Sequence, residues 1–163
     1  MKIIDKENVP SQGAFLLAGN HISYYDPPMY GSFLPRAIHF MGKKELFDNK
    51  LIGAIISRTN AHPINRRGFD RAAIKTAMEL LNNGEGLLVF PEGTRSKTDN
   101  FLPPKAGIGM LARKAMVPIV PAYIHGSNKL KDCFWGREKM GLIYGAPITE
   151  EEIEKFDDSR EGY

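Results

Sequence analysis

The chain alternates short apolar runs with helical stripes. "AFLLAG" at 14–19, "AIHFMG" at 37–42, "NAHPI" at 60–64, "GLLVFP" at 86–91 and "GLIYGAPI" at 141–148 have the length of buried strands. "PIVPAYI" at 118–124 reads the same way, with Pro121 predicting an edge or bulge position. Helical signals fill the gaps. Asp26 as cap and Pro27 in the first turn open a short helix, "PPMYGSFL". Phe47, Leu51 and Ile55, four apart, predict a helix over 44–57. In "FDRAAIKTAMELLNNG" Asp70 caps, Ile74, Ala77, Met78 and Leu81 form the stripe, and Gly84 stops it. A helix from about Lys105 to Ala115 and a short polar helix after the last strand complete the set. Strand and helix in alternation predict an α/β fold: a mostly parallel central sheet flanked by helices.

Length adds that 163 residues, 1–163, make one domain, its motifs between about 13 and 147. The single Cys133 excludes an intramolecular disulfide and a cysteine-based zinc cluster, and weakly fits a reducing compartment. No apolar run approaches the ~20 residues that span a bilayer. Asp5 and Glu7 interrupt what would be a signal peptide's apolar core, so the start reads as untargeted. Charge is uneven: residues 150–163 hold 7 of the 19 acidic and 2 of the 22 basic residues, an acidic tail that leaves the remainder at +8. Such a body attracts anionic partners, among them phosphate compounds and membrane surfaces, although a solvated basic surface is the plainer alternative.

Candidate chemistry clusters just past the strands. His21 follows the first, Arg66 and Arg67 the third, and Glu92 to Ser96 the fourth. In a parallel sheet these strand ends share one edge, where open α/β sheets bind ligands. His21 and Asp26 are five residues apart and would point about 140° from each other on a regular helix. They meet only if the chain turns between them, which Pro27 favours by pushing Asp26 out of helical conformation. The carboxylate would then fix the imidazole tautomer and leave the other ring nitrogen as a base. Spacing alone equally allows, and on frequency favours, a capping Asp26 beside a loop histidine. In "FPEGTRS" Gly93 permits an unusual backbone angle, Thr94 and Ser96 offer hydroxyls, and Arg95 presents a fork suited to phosphate. An ordinary turn with a surface salt bridge is the competing view.

Other chemistries lack their residues. Neither phosphate-binding glycine pattern nor G-x-S-x-G is present, and the histidines at 21, 39, 62 and 125 lack metal-ligand spacing. Nucleic-acid binding has charge but no module. A metal-dependent phosphoesterase and a non-catalytic lipid-binding domain remain as alternatives.

"NHISYYDPP" resembles the H-x-x-x-x-D motif of the glycerolipid acyltransferases, the group that includes 1-acylglycerol-3-phosphate acyltransferase. The likeness continues in order: "KKELF" at 43–47, "AHPINR" with Arg66 in the arginine position, "FPEGTRS", and "VPIVPAYI" at 117–124. It implies that family's fold and acyl transfer from a thioester, acyl-CoA or acyl carrier protein, to the hydroxyl of lysophosphatidic acid or a related lysolipid. It implies His21 as general base, oriented by Asp26, with Arg66 and Arg95 on the acceptor phosphate and Glu92, Gly93 and Thr94 shaping the acceptor pocket. Ser96 is a further candidate, and Val117 to Pro121 would support the site or an acyl tunnel. No metal or other cofactor is implied. Asn65 stands where the family often has aspartate, and His62 where an aromatic is usual. Many relatives carry N-terminal apolar helices; here the expectation is a cytoplasmic protein held peripherally on the membrane. "KLKDCFWGREKM" interleaves Phe134 and Trp135 with Lys129, Lys131, Arg137 and Lys139, a mixture suited to an anionic lipid interface or, equally, to a core tryptophan among solvated lysines.

Overall fold

The run "FLLAG" becomes the middle of the sheet. This strand, β2 (Phe15–Gly19), is flanked by β5 (Gly86–Val89) and β6 (Ile119–His125), and Phe15, Leu16 and Leu17 are fully buried. The computed structural model describes residues 1–65, 70–98 and 100–156. With β1 (Lys2–Ile4), β3 (Ile38–Lys43), β4 (Ala61–Ile64) and β7 (Gly141–Tyr144), the seven strands run in the order β1-β7-β6-β2-β5-β3-β4. Every pairing is parallel except β6 with β7. The mostly parallel α/β sheet expected from the alternation is what forms.

Strand side chains alternate between faces, and two apolar layers result. On one face Phe15, Leu17, Leu88, Val120 and Ile124 pack with Tyr30 of α1 (Asp26–Ser32) and Tyr144 of β7. On the other, Leu16 and Leu87 meet Ala77 and Leu81 of α3 (Arg71–Asn82), Leu111 and Ala112 of α4 (Gly107–Ala115), and Ile153 of α6 (Glu150–Glu154). The predicted stripe of α3 is thus its buried face. Asp70 caps α3, its Oδ1 accepting from the Ala73 N–H at 3.0 Å, and Gly84 follows at φ +80°. The acidic stretch expected as a tail begins as α6, closed by a Thr149–Glu152 capping box; 157–163 lie outside the described residues.

Two expectations need correction, and two elements had no signal. The helix over 44–57 splits: a single 3-10 turn at Lys44–Leu46, then α2 (Lys50–Ser57), freshly capped by Asn49. Leu51 and Ile55 of the predicted stripe face solvent, because the buried position of α2 is Gly53. Pro121 sits in β6, an inner strand, rather than at an edge. Its carbonyl accepts from the Gly145 N–H at 2.7 Å just beyond the end of β7, where no donor from residue 121 is required. Finally β1 and a fifth helix, α5 (Leu130–Phe134), carry no pattern long enough to have announced them.

The parallel strands β2, β3, β4, β5 and β6 end on one edge. His21 lies just past β2, Asn65 past β4, Glu92 to Arg95 past β5 and Ser127 past β6.

Candidate active site

The turn after β2 is built by side chains that replace the strand's missing partners. Asn20 continues the β2–β6 ladder with its carboxamide: Nδ2–H donates to the Ile124 carbonyl at 3.0 Å, and Oδ1 accepts from the Ile124 N–H at 2.8 Å. Tyr30 adds its hydroxyl to Asn20 Oδ1 at 2.8 Å. That ring lies directly over Gly19, where any Cβ would come within 2.7–2.9 Å of it, so only glycine fits the end of β2. Burial, and then the charge of Asp26, push the Tyr30 hydroxyl well above its ordinary range, so it remains a neutral donor.

Asp26 does not cap α1. The N-cap is Tyr25, without a side-chain bond to the helix, and the Asp26 carboxylate turns back into the preceding loop. Its Oδ2 accepts the Ile22 and Ser23 N–H groups, each at 2.7 Å, and His21 Nδ1–H at 2.8 Å. Ser127 donates to Oδ1 at 2.5 Å from 101 positions further along the chain. Asp26 is fully buried, and these four donors satisfy its carboxylate oxygens there. The bond to His21 fixes the proton on Nδ1 and leaves the Nε2 lone pair without a partner among the described residues. Phe90 stacks against the imidazole, centroids 3.9 Å apart and planes 14° from parallel.

Glu92 is buried, and both its oxygens serve the backbone. Oε1 accepts from the His21 N–H at 3.3 Å and Oε2 from the Leu102 N–H at 3.2 Å. The Ser96 N–H donates to the His21 carbonyl at 2.8 Å, and the Ser96 hydroxyl closes its own loop on the Thr98 and Asn100 carbonyls. Glu92 and Ser96 therefore bolt the "FPEGTRS" loop to the His21 turn. Gly93, at φ +66°, has the Lys105 side chain lying across it, within 3.0–3.1 Å of where a Cβ would stand. Thr94 is exposed, and the Arg95 guanidinium lies over the Tyr24 ring at 3.4 Å from its centroid.

His21, Asp26, Glu92, Gly93, Thr94 and Arg95 thus meet at one edge. Arg66 lies outside the described residues, as does Arg67; on either side of them the Asn65 N–H donates to Asp70 Oδ2 at 2.7 Å. Val117 and Val120 are buried in and before β6. Sequence reasoning missed Asn20, Lys105 and Ser127. Asn20 could have been noticed as the polar residue that ends an apolar run, but nothing local marks Lys105 or Ser127.

Beside the site lies an apolar cavity of about 380 Å³ between the sheet, α3 and α4, lined by Met41, Ile74, Leu88, Val89 and Ile108. Phe90 also lines it, so one ring separates His21 from the cavity, and Gly93 and Lys105 stand at the same boundary. Among the described residues no cluster of three or more His, Cys, Asp or Glu could hold a metal ion, and no helix is long and apolar enough to cross a membrane.

A parallel α/β edge thus carries a carboxylate-held histidine and a basic loop beside an apolar cavity, and residues 1–125 match the family model described as Acyltransferase. The chain belongs to that family and is an acyltransferase. It is similar to the 1-acyl-sn-glycerol-3-phosphate acyltransferase of Bacillus subtilis, 38% identical over 149 residues, covering 91% of this chain and 73% of that protein. The Streptococcus pneumoniae protein of the same name is 33% identical over 156 residues, 93% of this chain and 57% of that one. The crystal structure of the 1-acyl-sn-glycerophosphate (LPA) acyltransferase of Thermotoga maritima superposes with a TM-score of 0.78 at 30% identity, covering 99% of this chain and 64% of that chain.

Proposed function

We propose that the chain transfers a fatty acyl group from an acyl thioester to the free hydroxyl of lysophosphatidic acid or a related lysolipid, as the names of its relatives suggest. The observation that carries the mechanism is the His21–Asp26 pair: a buried imidazole whose Nδ1 meets the carboxylate at 2.8 Å, with Nε2 unpartnered among the described residues. An alcohol becomes nucleophilic as its proton leaves. His21 Nε2 takes that proton while the hydroxyl oxygen attacks the thioester carbonyl carbon. The tetrahedral intermediate collapses, the C–S bond breaks, and the imidazolium returns the proton to the leaving sulfur. Asp26 stabilises the imidazolium between the two steps. The general-base contribution is on the order of 10²–10⁴-fold. No covalent enzyme intermediate and no resident cofactor enters; the thioester carrier, coenzyme A or acyl carrier protein, is a co-substrate.

Arg95 and Lys105, the cations that flank Gly93, receive the acceptor phosphate together with Arg66. Glu92 acts through the backbone it holds, and Thr94 and Gly93 border the acceptor. The apolar cavity behind Phe90 takes the acyl chain. Because acceptor and product are lipids, the chain works peripherally at the cytoplasmic face of a membrane.

Incubating purified protein with one acyl-thioester and a panel of lyso-acceptors, scored by free thiol and lipid product, tests the reading. His21→Ala is expected to abolish product while the fold persists, and turnover near the wild-type rate would remove His21 from its role. Arg95→Ala and Lys105→Ala are each expected to raise the acceptor KM about tenfold or more, the cost of one charge-assisted contact.

A further inference from the structure

The segment between β6 and β7 leaves the sheet at the edge that carries the site, and its foot is Ser127, the donor to Asp26. From there it closes on itself. Gly126, at φ +78°, is so near the returning chain that a Cβ would meet the Lys139 carbonyl at 2.7 Å. The Lys129 N–H donates to the Gly126 carbonyl at 3.0 Å, and the Arg137 N–H to the Asp132 carbonyl at 2.8 Å. The result is a pinned protrusion rather than a loose loop. At its tip Phe134 and Trp135 are 83% and 72% exposed, packed edge to face on each other at 5.6 Å. Around them stand Lys129, Lys131, Arg137 and Lys139, against only Asp132 and Glu138. One pair, Lys129 with Glu138 at 3.2 Å, accounts for one charge of each sign. Lys131, Arg137 and Lys139 make no ion pair among the described residues.

We propose that this protrusion is the membrane-docking surface of the enzyme, its aromatic tip entering the interfacial zone of an anionic bilayer while the basic ring meets the headgroups. The proposal rests on the lipid-acyltransferase reading above only for its purpose, not for its geometry. Two large rings held in water by a preformed scaffold are costly unless another phase receives them, and tryptophan favours the headgroup region. The surrounding charge complements anionic lipid. An acidic carrier protein would also be drawn to the basic ring, but it has less use for two projecting aromatics. Docking here sets the mouth of the His21 cleft against the surface where a lysolipid resides.

Trp135 is the chain's only tryptophan, so the intact protein reports on itself. Adding phosphatidylglycerol-containing vesicles should shift its emission to the blue, and brominated acyl chains should quench it; pure phosphatidylcholine vesicles should do much less, and added salt should reverse the effect. Lys131→Glu with Arg137→Glu should cut vesicle flotation at least tenfold, since each basic residue near an anionic surface is worth about fivefold in partitioning. Phe134→Ser with Trp135→Ser should do likewise, with melting temperature and turnover of a short-chain, water-soluble acceptor unchanged. The proposal is overturned if the protein floats with vesicles while Trp135 emission stays put, if it does not float, or if emission answers an acidic carrier protein and not vesicles. Flotation and emission need no turnover, so loss of acyl transfer on the soluble acceptor would sink the catalytic reading and leave this one standing.

Discussion

Two histidine contacts in this molecule are nearly equal in length and opposite in chemistry. His21 Nδ1 lies 2.8 Å from the buried Asp26 carboxylate; His39 Nδ1 lies 2.9 Å from His62 Nε2 in the neighbouring strands β3 and β4. In the first, the partner is an anion held by three further donors, so a proton gained at Nε2 is welcomed by a charge already in place. In the second, the partner is another base. Burial, and then the charge His39 could carry, lower the pKa of His62, so His62 resists the cation that catalysis would require. Glu85 is only a remote relief, 3.8 Å from His39 Nε2 and shared with Arg36 at 3.3 Å. What makes a histidine a base is therefore not the bond it forms but the charge at the other end.

The comparison breaks most visibly if that charge is removed. Asp26→Asn keeps the shape but lets the amide select the wrong tautomer and strips the imidazolium of its counter-charge. A fall in kcat of about 10²–10⁴-fold is expected, with the acceptor KM little changed. A loss below threefold in steady-state kinetics would dissolve the distinction between the two pairs. Ser127→Ala sharpens it on a smaller scale. Asp26 keeps its charge but loses the donor on Oδ1, so kcat should drop roughly tenfold with KM unmoved, and Ser127→Thr should restore it. A purely structural Ser127 would instead lower the melting temperature of both variants without splitting kcat from KM.

The His39–His62 pair supplies the smallest effect. A folded-state pKa below the unfolded value means the unfolded chain binds more protons, so the contribution of His62 is complete above about pH 6.5 and is lost as pH falls below it. His62→Phe should remove that part of the acid sensitivity. Between pH 7.5 and 5.5 the variant's melting temperature should decline less than the wild type's, by about 2 °C or less for a partly buried group. An identical decline in both would mean that His62 gains its proton as readily in the fold as out of it.

Much of this was legible from local pattern. The cap at Asp70, the stripe of α3 and the strand runs follow from chemistry within a few residues; Asp26, which Pro27 is expected to hold out of helical conformation, is instead the first residue of α1, and the chain turns before it. The family likeness then named the role of His21, which spacing alone could not. The contacts that finish the site were not legible, because they join distant segments. Ser127 reaches Asp26 across 101 positions and Asn20 reaches Ile124 across 104. Lys105 lies across Gly93 only because its own N–H returns to the Pro91 carbonyl at 2.9 Å. The predicted 44–57 helix failed for a local reason of the opposite kind: Asn49 caps anew and resets the phase, leaving an apolar stripe outside.

The bolting of the His21 turn to the Glu92 loop, and of Asp26 to Ser127, has a consequence for how the enzyme comes into being. No contiguous fragment contains a working half: until β2, β5 and β6 lie side by side, the carboxylate lacks a donor and the imidazole lacks its platform. Activity should therefore emerge abruptly and late during refolding, together with the last long-range strand pairing, and proteolytic pieces ending before residue 127 should be inert at any concentration.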